Sequence, residues 1–504
     1  MKFNVTSKGK NKTVNHEGEQ AYRLSPEWQL YTATVTSSLS DKFYESAETR
    51  IETLRTLIGK CDPLFVAKLA VYTRRQMNLR SVPLVLAVEL AKIHRGDATV
   101  RKMINKIVQR ADEITELLAY YQLANKRKDT KKLNRLSKQI QAGLQDSFNR
   151  FDEYQFAKYN RDAEVKLRDA LFLVHPKAVT EEQQALFDKI VNNELETPYT
   201  WETELSQLGQ QKFGSEEAKS KAFRAKWEEL IDSEKVGYMA LLRNLRNILE
   251  AEVSNEHIHK VCSTLSSQTA VRRSKQLPFR FLAAYREISK LTSTYAGRIM
   301  DALEAAVTVA AENIKGFESG TGVLIACDVS GSMQKPVSPR SKILAYDIGL
   351  MLAMLLKSRC ANAITGMFGD TWKVINVPTK SILANVDAFY RREGEVGYST
   401  NGYLVIESLL EQKTKVDKIL FFTDMQLWNS HGNTKLSEVW SQYKKISPDS
   451  KLYLFDLSGY GTTPLDITRD DVFLIAGWSD KVFDILEAVD SGSHALDEIK
   501  AIEL

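Results

Sequence analysis

Five short apolar runs, VLIAC, AITGMF, KILFF, KLYLF and VFLIA, succeed one another after residue 322, separated by helical stretches such as SKILAYDIGLMLAMLLKSR and TNGYLVIESLLEQ. Apolar strands alternating with helices predict a parallel sheet covered on both faces. Such a sheet binds ligands at the carboxyl ends of its strands, where strand order reverses. The pattern stops upstream. Residues 20–310 read as successive amphipathic helices, among them PLFVAKLAVYTRRQ, VPLVLAVELAKIHR, VGYMALLRNLRNILEA and PFRFLAAYREISKL, with apolar residues at three- and four-residue spacing. Pro83 and Pro278 stand where a new helix would begin. So many helices without sheet suggest helix pairs stacked in a solenoid, although no fixed period is visible.

The glycine-rich link KGFESGTG, Lys315 to Gly322, separates the two textures, and 504 residues exceed what one core usually serves. Hydrophobic residues at 43% and charged residues at 26% are those of an ordinary globular chain. No uncharged apolar run of eighteen residues and no N-terminal signal core occur, which excludes a membrane span and leads to an expected cytoplasmic location. Cys61, Cys262, Cys327 and Cys360 lack paired spacing and argue against a disulfide framework or zinc ribbon. Charge is asymmetric. From residue 311 onward 20 Lys and Arg face 25 Asp and Glu, whereas residues 1–310 carry 49 against 39. A basic half points to a polyanion as its ligand, and the bland alternative is a soluble surface.

The first apolar run ends in CDVSGSM, which sets Asp328, Ser330 and Ser332 just past a strand's carboxyl end. A carboxylate and two hydroxyls make half of an oxygen shell suited to a hard divalent cation. Thr400 in GYSTNGY and Asp424 in KILFFTDMQ fall on the same edge of the sheet and supply further oxygens. An Asp and Ser pair also suits a helix-capping turn. The order DxSxS, then Thr, then Asp resembles the metal-ion-dependent adhesion site of a von Willebrand factor A domain. The resemblance implies that Asp328, Ser330, Ser332, Thr400 and Asp424 surround one divalent ion, Mg²⁺ first and Mn²⁺ or Ca²⁺ next. One position would stay open to a partner's carboxylate. No base or GxSxG nucleophile elbow accompanies the site, and only His431 lies near these loops, so no enzyme is expected.

Three upstream stretches, FDEYQFAKYNRDAEVKLRDALFLVHPK, GYMALLRNLRNIL and KQLPFRFLAAYREI, resemble the TROVE module of the Ro autoantigen family, bacterial relatives in particular. The resemblance implies an all-α, HEAT-like helical-repeat ring over residues 14–314, followed by an α/β, Rossmann-like von Willebrand A domain over 322–504. It further implies a monomeric ribonucleoprotein that holds small structured noncoding RNAs, the Y RNAs, on a basic outer surface. Single-stranded 3′ ends of misfolded RNA would also be captured, in RNA quality control or stress, with an exoribonuclease reached through the RNA.

The basic residues are compatible with this. The run KRKDTKKLNRLSK, Lys126 to Lys138, contributes Arg135 and Lys138; Lys158, Arg161, Lys166, Arg168 and Lys177 follow, interleaved with Tyr159 and His175. Cations position a phosphate backbone and rings stack on unpaired bases. The family's RNA-binding histidine before an HPK-like sequence carries over to His175. The alternatives are a solvated helix face for the basic run and a helix-end cap for His175. In LLRNLRN, Arg243, Asn244, Arg246 and Asn247 make a polar stripe that could meet RNA or bond adjacent repeats. Arg74, Arg75, Arg80 and Arg95 are further RNA-surface candidates. A different class also fits: a metal-dependent protein-interaction adaptor on a helical scaffold.

Overall fold

The computed structural model describes residues 11–36, 48–125, 136–160, 163–312, 314–317, 320–337, 341–360, 362–430, 432 and 434–504. The chain forms two compact units. One comprises Leu39–Val236 with Asp497–Leu504, the other Met1–Ser38 with Gly237–Leu496.

The first unit is helical throughout its described residues, from Glu48–Ile58 to Glu216–Asp232. Several of its helices start where a side chain takes the free amides of the first turn. Asp62 accepts from Leu64 N and Phe65 N ahead of Pro63, and Asp152 forms a capping box with Gln155. The apolar stripes bury Leu69, Leu86, Ile104, Leu117, Leu144 and Phe148 completely. Thr99–Ile107 and Lys138–Phe148 approach so closely at Gly143 that a Cβ there would stand 2.7 Å from that of Ile104.

Several arginines hold this unit together. Arg74, buried, pairs with Glu113 at 2.7 Å and donates to Ile107 O at 3.0 Å. Arg75 donates to Lys106 O, and Arg80 pairs with Asp112 at 3.0 Å. These three therefore tie helix ends to neighbouring helices, where the sequence made them RNA-surface candidates. Burial pushes the Glu113 carboxyl up and the Arg74 guanidinium down, and each is drawn back by the other's charge.

The second unit is built on a six-stranded sheet in the order Trp372–Val374, Ala363–Phe368, Val323–Asp328, Lys418–Thr423, Lys451–Asp456, Val472–Ala476. Its strands are β3 (Val323–Asp328), β4 (Ala363–Phe368), β5 (Trp372–Val374), β6 (Lys418–Thr423), β7 (Lys451–Asp456) and β9 (Val472–Ala476). All pair in parallel except β5, which closes one edge antiparallel to β4. The five apolar runs are these five parallel strands. Asp328 ends β3 at the centre of the sheet, with β4 on one side and β6 on the other, so strand order reverses there.

Helix Ala345–Lys357 is buried along its whole length. One side lies on the sheet and the other meets helices Pro278–Ile288 and Ala296–Ala311. The sheet's other face is covered by Tyr403–Glu411 and Leu436–Ile446, whose Ile406, Trp440 and Tyr443 pack on Leu324, Phe421 and Leu454. Polar links fix the helix block to the sheet domain. Arg286 makes a bidentate pair with Asp347, 2.9 and 2.7 Å, and sits over the Tyr390 ring. Glu304 accepts from Leu383 N and Ala384 N, and so caps helix Ile382–Tyr390, whose own N-cap residue Ser381 makes no side-chain cap.

Residues ahead of the helical stretch add a three-stranded sheet. β1 (Lys12–Val14) and β2 (Gln20–Arg23) form a hairpin, and β2 pairs with β8 (Thr462–Thr463). No sequence signal marked this hairpin. Helix Pro26–Val35 follows, and its Tyr31 hydroxyl donates to Ala476 O at 3.2 Å. All four cysteines are free thiols, and among the described residues no helix is long and apolar enough to cross a membrane.

Candidate functional site

The five oxygen donors picked out in the sequence gather at the carboxyl edge of the large sheet. Asp328, 1% exposed, accepts from Ser330 N at 2.9 Å through Oδ1 and from the Thr423 hydroxyl at 2.6 Å through Oδ2. A 3₁₀ turn, Gly331–Gln334, follows, and the Ser330 and Ser332 hydroxyls lie 3.2 Å apart. Asp328 thus orders its own loop and does not cap the distant helix, which Asp347 caps by accepting from Leu344 N.

Thr400 and Asp424 arrive on two loops that are bonded to each other. Trp428 N donates to Thr400 O at 3.1 Å, while Asn401 Oδ1 accepts from Ser430 N at 2.8 Å. The loop after β4 supports them: Asn401 N donates to Gly369 O, and a Cβ on Gly369 would fall 2.1 Å from Gly397 O. Gly331 N donates to Tyr398 O, which joins the DxSxS turn to the Thr400 loop.

Two features fit this centre to a hard cation. Thr400 Oγ1 and Asp424 Oδ2 are buried and have no hydrogen-bond partner among the described residues. Burial also pushes the Asp328 carboxyl well above the usual carboxylate range, with the negative Asp424 adding to the shift; burial raises Asp424 as well, against the Gln426 amide and the Ser332 hydroxyl. Two carboxylates that resist ionisation side by side are what a divalent ion would relieve. Among the described residues no group of three or more His, Cys, Asp or Glu side chains forms a metal cluster. The donors here are instead two carboxylates and three hydroxyls. Sequence reading missed Thr423, Asn401 and Gln426, which orient the donors; only their adjacency to Thr400 and Asp424 pointed at them.

The basic candidates spread over both units. In the helical unit Lys138, Lys166, Arg168, His175 and Lys177 are exposed and Lys158 half-buried; Arg135 and Arg161 lie outside the described residues, as do His431 and the basic run from Lys126 to Arg135. Lys166 and Arg168 line a cavity of about 460 Å³ with Asn160, Asp169, Phe172 and Asn193. Arg168 lies over the exposed Phe172 ring at 5.8 Å. His175 ends helix Leu167–Val174 with φ 51°. Its segment is clamped by helix Lys138–Phe148: Gln145 Nε2 donates to Val174 O and His175 O, and Asn149 Nδ2 donates to Lys177 O. The clamp holds backbone and leaves the His175 and Lys177 side chains exposed.

Arg243 and Arg246 belong to the other unit, on helix Tyr238–Glu250. Both are exposed, and Arg246 pairs with Glu250 at 2.7 Å. The stripe is broken at Asn244, which is buried and donates to Ala240 O while accepting from Asn247.

Comparison with known proteins agrees with this architecture. A model described as the TROVE domain matches residues 29–226 and 192–298, and one described as the Ro60 vWA domain matches residues 322–489. Telomerase protein component 1 of Rattus norvegicus and of Mus musculus are each 26% identical over 312 residues, covering 46% of this chain. The chain spans only 11% of the length of those relatives. The crystal structure of the Deinococcus radiodurans RO (RSR) protein superposes with a TM-score of 0.58 over 93% of this chain and 100% of that one, at 18% identity, which shows a common fold. With family matches on both the helical region and the sheet domain, in that order, the chain belongs to the TROVE-domain, Ro-type family of RNA-binding proteins.

Proposed function

We propose that this protein holds small structured noncoding RNA on the basic surface of its helical module and captures single-stranded 3′ ends of misfolded RNA, in cytoplasmic RNA quality control. The observation that carries the reading is the group of exposed cations beside an open cavity: Lys166 and Arg168 at its wall, with Phe172 uncovered next to Arg168. Phosphates meet the cations, and unpaired bases stack on the ring. His175, Lys177, Lys138 and Lys158 extend the surface, and Arg135, Arg161, Arg243 and Arg246 are further RNA-binding candidates. An exoribonuclease is recruited through the bound RNA, and the protein itself does no chemistry on it.

The sheet domain holds one divalent cation, Mg²⁺ first, through Asp328, Ser330, Ser332, Thr400 and Asp424. The Thr400 and Asp424 oxygens, buried and unpartnered among the described residues, support this. A bound cation would offer a Lewis-acid position to an acidic residue of a protein partner. The exposed rings of Tyr398, Trp428 and Tyr460 on the surrounding loops favour such an adaptor role for this domain, alongside RNA binding by the other.

The reading is tested with the double variant Lys166→Glu, Arg168→Glu in a stem-loop RNA binding assay. Two reversed phosphate contacts should weaken binding at least tenfold and flatten the dependence on salt. Wild-type affinity in the variant would remove this surface from the RNA site.

A further inference from the structure

The tip of the β1–β2 hairpin touches the loop that carries Asp424. Asn15, 7% exposed, closes the hairpin turn by accepting from Glu17 N and Glu19 N at 3.1 and 2.9 Å. Its Nδ2 donates to Leu427 O at 2.8 Å. The next residue, His16, donates its amide to Gln426 Oε1 at 2.8 Å. Gln426 N in turn donates to Asp424 Oδ1 at 3.0 Å, so the hairpin lies one side chain away from the carboxylate.

The loop needs such a hold. Met425, directly after Asp424, has φ 68°, a left-handed conformation that strains a residue with a side chain. Inside the site, Thr423 Oγ1 accepts from Met425 N and Thr400 O accepts from Trp428 N. From outside it, Asn15 and His16 bond the loop across more than 400 residues of sequence. In this conformation Asp424 Oδ2 is buried without a hydrogen-bond partner among the described residues.

We infer that the N-terminal hairpin is a positioning element of the cation site, with Asn15 and His16 holding the Asp424 loop in the conformation that presents Oδ2 as a ligand. Asn15 and His16 touch no metal ligand directly and act through Leu427 and Gln426. The inference rests on the reading of Asp328, Ser330, Ser332, Thr400 and Asp424 as a cation site. It adds a linkage: whatever factor hairpin docking contributes to cation affinity, the cation returns to hairpin docking. Residues that orient ligands from one shell out change metal affinity 10- to 100-fold when removed, and that range sets the expectation here.

The test uses the full chain and Mn²⁺ alone, titrated at 25 °C by electron paramagnetic resonance of the free ion. Four proteins are compared: wild type, Asp328→Ala, Asn15→Ala and Gln426→Leu. The hairpin has other anchors, including the β2 pairing with β8 and the Leu24 N bond to Gly461 O, so Asn15→Ala is expected to stay docked. Gln426→Leu keeps the side chain's bulk and cannot accept from His16, so it tests the same link should Asn15→Ala not fold. The expected result is one Mn²⁺ bound by wild type and none by Asp328→Ala, with affinity about 10- to 100-fold weaker in Asn15→Ala and Gln426→Leu. A lower melting temperature with wild-type Mn²⁺ affinity in both would make the hairpin mere packing and overturn the inference while leaving the cation site in place. Wild type binding no better than Asp328→Ala would overturn both.

Discussion

Asp328 makes the sharpest single-residue prediction. It and Asp424 are buried on neighbouring strand ends, and each resists ionisation. Asp328→Ala removes one carboxylate from this pair, so the cation-free protein should lose little stability while the rise in melting temperature on adding Mg²⁺ disappears. Differential scanning calorimetry with and without EDTA reads both; an unchanged Mg²⁺ shift would exclude Asp328 as a ligand. Gly369 tests the supporting loop. A Cβ there would fall 2.1 Å from Gly397 O, so Gly369→Ala must displace backbone ahead of Thr400 and should weaken Mn²⁺ binding more than its small size suggests. The five donors were legible in the sequence because strand ends and helix starts fix where short polar side chains fall. Thr423, Gln426 and the left-handed Met425 were not, since each acts through partners fixed only by folding.

Elements differ in how openly the sequence declares them. The parallel strands are apolar without alternation because both faces are covered, and all five are visible as runs. The β1–β2 hairpin, with strands of three and four residues, is too short to show a period. Arginine roles were equally opaque: Arg74 and Arg168 look alike in sequence, yet one is spent on Glu113 and Ile107 O while the other lines an open cavity. At this scale the Arg286–Asp347 pair carries the packing of helix Pro278–Ile288 on Ala345–Lys357. Asp347 is fully buried, so Arg286→Ala strands a carboxylate and should cost about 3–5 kcal/mol in urea unfolding. Glu304→Ala removes only a helix cap and should cost about 1 kcal/mol. Equal losses from the two would contradict this division.

For the whole molecule, the sequence's change of texture from helices to alternating strands matches the two family models in order. The compact units divide the chain elsewhere, because helices after Gly237 pack on the sheet domain through Arg286 and Glu304. That packing joins chain segments far apart in sequence and leaves no periodic trace. Some cations of residues 1–310 are held in ion pairs with acids, Arg74, Arg80 and Arg101 among them, and so are engaged within the chain. RNA affinity should therefore follow a few exposed cations and not total charge. Fluorescence anisotropy with one stem-loop RNA, with and without a single-stranded 3′ tail, measured across a salt series, tests this most directly. Binding should tighten with the tail and fall with salt at a log–log slope of about −0.7 for each single-strand phosphate neutralised. Equal, weak binding of both RNAs that vanishes at physiological salt would contradict it.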